Sequence, residues 1–216
     1  IAGSYDFLNH TLSLGMDNIW RKIAIKKLGN KPATILDIAT GTADFAISAS
    51  KHTKANITGI DISQGMLDIG VEKITKKGLT NRIQLQLADS EKLPFQDNSY
   101  DAITAGFGVR NFEDLNKGLS EMYRTLKSGG KVAILEPSEP TNFPLKQFYN
   151  LYFHHILPFI GGIISKDKNA YTYLPDSVSA FPSGKDFLTV LDKVGFKESK
   201  HIPLTFGIVS LYIAIK

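Results

Sequence analysis

The sequence predicts an α/β protein, a mostly parallel sheet with helices on both faces. Three observations predict it. From residue 34 to residue 136, short apolar runs alternate with stretches of helical spacing, the order of a parallel sheet built from right-handed crossovers. The first run, Ile35, Leu36 and Ile38, breaks into small and polar residues from Ala39 to Ala43, after which Phe45, Ala46 and Ala49 resume with helical spacing. Two acids, Asp61 and Asp89, stand at the ends of the next two runs, where open α/β sheets bind their ligands.

In order along the chain, residues 1–33 form a helical cap. They hold a polar cluster (Tyr5, Asp6, Asn9, with His10 nearby) that can close over a ligand. An amphipathic helix follows over 19–28, with Ile19, Ile23 and Ile25 alternating with Arg21, Lys22, Lys26 and Lys27, and Gly29 as its stop. The first strand, tight loop and helix occupy 34–49. A second strand, Asn56–Ile60, leads to Asp61. Ser63 is the N-cap of a helix with Met66, Leu67, Val71 and Ile74 on its apolar face, ended by Gly78.

Residues 83–88 alternate as a third strand, with Asp89 and Ser90 just past its end. Leu93-Pro94-Phe95 turns the chain into strand four, Tyr100–Ala105. The loop Gly106–Asn111 leads to a helix carrying Leu115, Leu119, Met122 and Leu126, closed by Gly129-Gly130, and Lys131–Glu136 is strand five. After Pro137 the pattern changes. Residues 143–164 are rich in large apolar side chains and are broken by Pro158 and Gly161-Gly162, while 165–182 are polar; together 141–182 form a lid insertion. Ser183 and Asp186 make a capping box before a helix ended by Gly195, and two last strand-like runs complete the sheet.

Length and composition set the class. A chain of 216 residues with 43% hydrophobic and 21% charged residues is one globular domain, 1–216. It has no cysteine, which removes disulfides, thiolate metal sites and cysteine nucleophiles together. The net charge of +4 comes from scattered lysines, a solvated surface rather than a nucleic-acid stripe. No apolar run reaches the length of about 18 residues that a membrane span needs, and no signal peptide is visible, so a cytoplasmic protein is expected. Because the chain starts at Ile1, some N-terminal sequence is expected to precede it.

The loop chemistry points to a cofactor. Small residues between strand and helix let a ligand approach the backbone, and Asp61, about 20 residues after Gly41, stands where a carboxylate accepts bonds from a ribose diol. With a single glycine in the loop, a pyrophosphate cradle is not expected.

Four ordered motifs, Leu36-Asp37-x-x-x-Gly41-Thr42, Asp61-x-Ser63-x-x-Met66-Leu67, Asp89-x-x-x-Leu93-Pro94-Phe95 and Leu126-Lys127-x-Gly129-Gly130, resemble those of class I S-adenosylmethionine-dependent methyltransferases. Further features narrow the resemblance to the menaquinone/ubiquinone biosynthesis C-methyltransferases: Tyr5-Asp6-x-x-Asn9, Leu12-Ser13-x-Gly15 with Trp20, Phe107-Gly108-Val109-Arg110-Asn111, Glu121-Met122-Tyr123-Arg124, Leu157-Pro158-x-Ile160-Gly161 and Leu204-Thr205-x-Gly207-Ile208-Val209.

The resemblance spans the chain. It implies a Rossmann-like fold with a helical lid, S-adenosylmethionine as cofactor, and a polyprenylated quinol as substrate, demethylmenaquinol before a ubiquinone precursor. It also implies a transient visit to the inner face of the cell membrane. Residue by residue, it implies that Gly41 and Thr42 meet the cofactor's methionine end or its loop, that Asp61 takes the ribose, that Asp89 with Ser90 reads the adenine, and that Gly106–Asn111 faces the reacting methyl. The sequence departs from the family at Thr40 and Ala43, which replace glycines, at Asp17-Asn18, which replace His-Arg, and at Gly106, which replaces a serine of some members.

Ring methylation needs alignment and a base more than a metal. Arg110 is the first catalytic candidate, a guanidinium that favours the phenolate; its structural alternative is an ion pair with Glu113 or Asp114. His155, inside the apolar segment, is the candidate base, with His10 behind it. Two other readings stand beside this one: a cofactor-binding regulator that has lost catalysis, which the eroded glycine loop would suit, and a nucleic-acid methyltransferase, which lacks both an Asn-Pro-Pro-Tyr-like motif and a dense basic stripe.

Overall fold

The computed structural model describes residues 15–29, 32–140, 143, 144, 146, 147 and 177–216. Its elements are α1 (Asp17–Leu28), β1 (Thr34–Ile38), α2 (Asp44–His52), β2 (Asn56–Asp61), α3 (Gln64–Lys76), β3 (Ile83–Leu87), β4 (Tyr100–Gly106), a 3-10 turn (Val109–Asn111), α4 (Leu115–Thr125), β5 (Leu126–Pro137), α5 (Lys185–Val194), β6 (Lys197–Leu204) and β7 (Val209–Ile215). The strands form one sheet in the order β3-β2-β1-β4-β5-β7-β6. β1 to β5 are parallel and β7 runs antiparallel between β5 and β6.

Successive side chains of a strand face opposite ways, so β1 serves two cores. Ile35 joins Trp20, Ile25, Phe45 and Ala49 on the face covered by α1 and α2. Leu36 and Ile38 join Leu119, Met122, Phe187 and Leu191 on the face covered by α4 and α5. The expected α/β sandwich is therefore the one observed. No helix among the described residues is long and apolar enough to cross a membrane.

Five local expectations differ from the structure. Gly129-Gly130 does not close α4: the helix stops at Thr125, and Leu126 already pairs with Tyr100 of β4. Gly130 instead lets the backbones crowd, since a Cβ there would lie 2.9 Å from the Asp101 carbonyl oxygen. Val71 is 48% exposed, and the inward position it was given belongs to Gly70, where a Cβ would meet Leu85 at 2.7 Å and α3 comes against the loop after β1.

The Ser183–Asp186 capping box is not made. Gly184 is the N-cap of α5, with φ 58°, and no side chain caps it. Arg21, read as a solvated residue of α1, is only 7% exposed, because it pairs with buried Asp17 one turn back at 2.7 Å. Of the polar 165–182 stretch, the described end packs inward: Val178 and Phe181 are buried.

The Glu121-Met122-Tyr123-Arg124 motif has a structural task. Glu121 accepts the Leu93 amide at 2.8 Å, and Arg124 donates to the carbonyl oxygens of Leu93 and Phe95 and to Asp97. Arg124 and Glu121 are also paired through two hydrogen bonds, at 2.7 and 2.8 Å. Helix α4 thus holds the turn that follows the Asp89 loop.

Candidate active site

A cleft of about 750 Å³ opens at the carboxyl ends of β1, β2, β3 and β4, a size suited to a ligand of cofactor dimensions. Its floor is the loop after β1. Ala39, Gly41 and Ala43 all take positive φ, 52°, 55° and 67°, so the turn has the shape a glycine-rich loop would have, with two alanines carrying the strain. The loop is held from below and from the side. Asp37, fully buried, accepts from the hydroxyls of Thr40 and Thr104, each at 2.6 Å; the β1–β4 register sets Thr104 opposite it. Burial raises the Asp37 carboxyl from 3.8 to about 6, against those two hydrogen bonds and the nearby Arg21 charge.

The residues expected to bind cofactor gather here. Asp61 ends β2, and its two oxygens accept the Gly41 amide at 2.8 Å and the Ser63 amide at 2.9 Å, which leaves lone pairs on both for a diol. Asp89 and Ser90 line the same cleft, and Asp89 shapes its own turn by accepting the Glu91 amide at 2.8 Å. Thr42 is nearly buried; its hydroxyl accepts from Lys73 of α3 at 2.9 Å, and Lys73 pairs with Asp44 at 2.5 Å. The Thr42 side chain therefore braces the loop against α3. Gly106 lines the cleft and has no room for more, since a Cβ would lie 2.9 Å from the Phe45 ring.

Arg110 sits elsewhere. It is not among the cleft-lining residues, and its side chain is 4% exposed. It pairs with fully buried Glu136 at 3.0 Å and donates to the Phe107 carbonyl oxygen and to Ser177. The structural alternative named Glu113 or Asp114 as the partner; the partner is Glu136, on the neighbouring strand. Glu136 also accepts the Val109 amide at 2.7 Å, so the pair holds the loop after β4. Burial pushes the Glu136 carboxyl up, opposed by the Arg110 charge. His155, His10, Tyr5 and Asn9 lie outside the described residues.

Sequence reasoning missed Ile62, a large apolar side chain 76% exposed on the cleft wall directly after Asp61. An apolar residue following a strand-ending acid was the available signal. It also missed the charge of the cleft: Asp44, Asp61, Asp89, Glu91 and Glu113 line it, and among the described residues Arg21 is the one cation that does. Lys73 pairs with Asp44 and Arg21 with Asp17, so the remaining acids of the lining, Asp61, Asp89, Glu91 and Glu113, disfavour a pyrophosphate and favour a cationic ligand. Asp61 could hold a ribose, the apolar Ile62 beside Asp89 could pack on an adenine, and the remaining acids could face a ligand of net positive charge such as S-adenosylmethionine.

Comparison with known proteins decides the family. The model of the ubiE/COQ5 methyltransferase family matches residues 1–216. The chain belongs to the ubiE/COQ5 methyltransferase family. The demethylmenaquinone methyltransferase of Bacteroides fragilis is 50% identical over 218 residues, covering 100% of this chain and 89% of the relative. The ubiquinone/menaquinone biosynthesis C-methyltransferase UbiE of Geotalea daltonii is 47% identical over 219 residues, covering 100% and 93%.

Among solved structures, one from Methanococcus maripaludis described as an S-adenosyl-L-methionine-dependent methyltransferase aligns with a TM-score of 0.72 and 26% identity, over 100% of this chain and 91% of that one. A SAM-dependent methyltransferase from Aquifex aeolicus shares the fold, with a TM-score of 0.71 at 18% identity, over 100% and 99%. This ubiE/COQ5 family member is an S-adenosylmethionine-dependent methyltransferase, and its cofactor is the ligand that the acid-lined cleft suits.

Proposed function

We propose that this protein methylates a ring carbon of a polyprenylated quinol, with demethylmenaquinol as the preferred acceptor and a ubiquinone precursor as the lesser one. The observation that carries the reading is the full-length similarity to proteins named for demethylmenaquinone methylation, 43–50% identical. Those names also weigh against a regulator without catalysis.

S-adenosylmethionine supplies a methyl group already activated on a sulfonium. The protein's share is to hold it: Asp61 on the ribose, Asp89, Ser90 and Ile62 around the adenine, Gly41 and the Thr42 backbone beside the methionine end, and the acidic wall against its positive charge. Arg110 acts through the loop after β4, which Glu136 and Arg110 hold in place for the acceptor. His155 takes the hydroxyl proton of the quinol, making the adjacent ring carbon nucleophilic. The protein works in the cytoplasm and visits the membrane surface to reach its lipophilic acceptor.

Radiolabelled methyl transfer to demethylmenaquinol and to the corresponding benzoquinol tests the reading. Faster turnover of the benzoquinol would reverse the preference, and transfer to neither would sink it. His155→Ala is expected to lower the rate and leave cofactor affinity alone, with a loss that shrinks at high pH, where the quinol ionises unaided.

A further inference from the structure

The turn joining β6 to β7 is built at a cost that the fold does not explain. Thr205, Phe206 and Gly207 follow one another at φ 45°, 58° and 91°, a conformation that side chains of L-residues rarely adopt and that persists only where the surroundings enforce it. The enforcement is visible. Trp20 Nε1 donates to Thr205 Oγ1 at 2.7 Å, and Ser138 Oγ donates to the Gly207 carbonyl oxygen at 2.8 Å. Ser138 in turn accepts from Ser210 at 2.9 Å, and Trp20, Ser138 and Ser210 are all buried. What this frame presents is Phe206, 76% exposed. A bare surface phenylalanine needs no explanation by itself; a strained and anchored turn with one at its tip does.

The position of the turn supplies a reason. Val209, at the start of β7, pairs with Pro137, at the end of β5, so the turn stands on the rim where the ligand cleft opens. Trp20 connects the two, since its ring meets that of Phe107, a cleft-lining residue, edge-on at 6.1 Å. Along β3-β2-β1-β4-β5-β7-β6, Asp89 ends the β3 region, Asp61 ends β2, the Gly41 loop follows β1 and Phe107 follows β4. With the nucleoside assigned to β3 and β2, the end of the cleft at Gly106, Phe107 and Gly108 after β4 is left for the acceptor ring. A chain continuing in the same direction reaches β7, two strand spacings or roughly 10 Å beyond β4.

We propose that Phe206 is a specificity-determining residue that packs on the isoprenoid chain of the acceptor where it leaves the cleft. The proposal rests on the prenylated-quinol reading above. The anchored turn fixes the ring before the chain arrives, so little side-chain freedom is lost when the two meet.

Trp20 is the only tryptophan in the sequence, and quinones quench indole fluorescence, so binding is measurable without turnover. The probes are 1,4-naphthoquinone and its 2-geranyl derivative, in detergent, with the wild type, Phe206→Ala and Phe206→Leu. Phe206→Ala is expected to lower the ratio of geranyl to tail-free affinity about fivefold to tenfold, the scale of losing an apolar contact of ring size. Phe206→Leu keeps most of the ratio, and the steady-state KM ratio for the two quinols moves with it. Equal losses for both quinones would make the turn merely structural, and a ratio within about twofold of wild type would overturn the proposal.

Loss of binding to phosphatidylglycerol vesicles with an unchanged ratio in detergent would assign Phe206 to the membrane instead. Wild-type protein that binds neither quinone and methylates neither of the corresponding quinols overturns the substrate reading itself. A wild type that does both while the Phe206 ratio holds overturns only this inference.

Discussion

The Gly41 amide donates to Asp61 Oδ2 at 2.8 Å, joining the last residue of β2 to the loop that follows β1. One carboxylate therefore sets the shape of the cofactor loop and faces the cleft with its remaining lone pairs. Asp61→Ala is expected to weaken S-adenosylmethionine binding by about 2–3 kcal/mol, the scale for losing hydrogen bonds to a charged group. Asp61→Asn, which keeps one carbonyl oxygen, is expected to lose less. Titration calorimetry measures both, and unchanged affinity in folded Asp61→Ala would remove the residue from the site.

Arg110→Ala leaves Glu136 buried and unpaired. The expected cost is about 3–5 kcal/mol of stability, read by urea unfolding. Glu136→Gln is expected to cost less, because the amide oxygen can still accept from Val109. An Arg110→Ala protein of wild-type stability but without turnover would return Arg110 to a direct role on the acceptor.

Asp37 predicts a pH dependence with a definite sign. Its folded carboxyl, raised by burial from 3.8 to about 6, holds its proton more tightly than the unfolded one. The destabilisation from ionising it is absent below the unfolded value, grows as pH rises between the two, and is complete above about 6, at roughly 3 kcal/mol. Asp37→Asn carries no such charge, so its stability relative to wild type should improve by roughly that amount between pH 4 and pH 7. A difference that stays flat across this range would show that Asp37 is not perturbed.

Gly108→Ala would place a Cβ 2.4 Å from the Ala39 Cβ, between the loops that follow β1 and β4. Either loop must move, at an expected cost of about 1–3 kcal/mol and with weaker cofactor binding. Gly106→Ser meets the edge of the Phe45 ring at 2.9 Å, a less severe overlap than the one at Gly108, and it should cost less. Thermal unfolding ranks them, and the reverse order would contradict this account of the loop contact.

What the sequence alone determined was local. Hydrophobic periodicity over 34–136 marks strands and helices because each must bury one face, and the acids ending β2 and β3 mark the ligand rim because a charge there needs partners. Those signals mark Asp61, Asp89 and the Gly41 loop, which the structure gathers on one cleft. Tertiary structure decided whatever depends on partners distant in the chain. Arg110 reads as a catalytic guanidinium or as an ion-pair partner of Glu113 or Asp114, yet strand pairing brings Glu136, 26 residues on, against it in a dry site where the pair must form. Gly129-Gly130 reads as a helix stop, yet Leu126 is already captured by β4. In each case a long-range contact, worth more than the local preference it displaced, came from the order in which the strands assemble, which no short window of sequence contains.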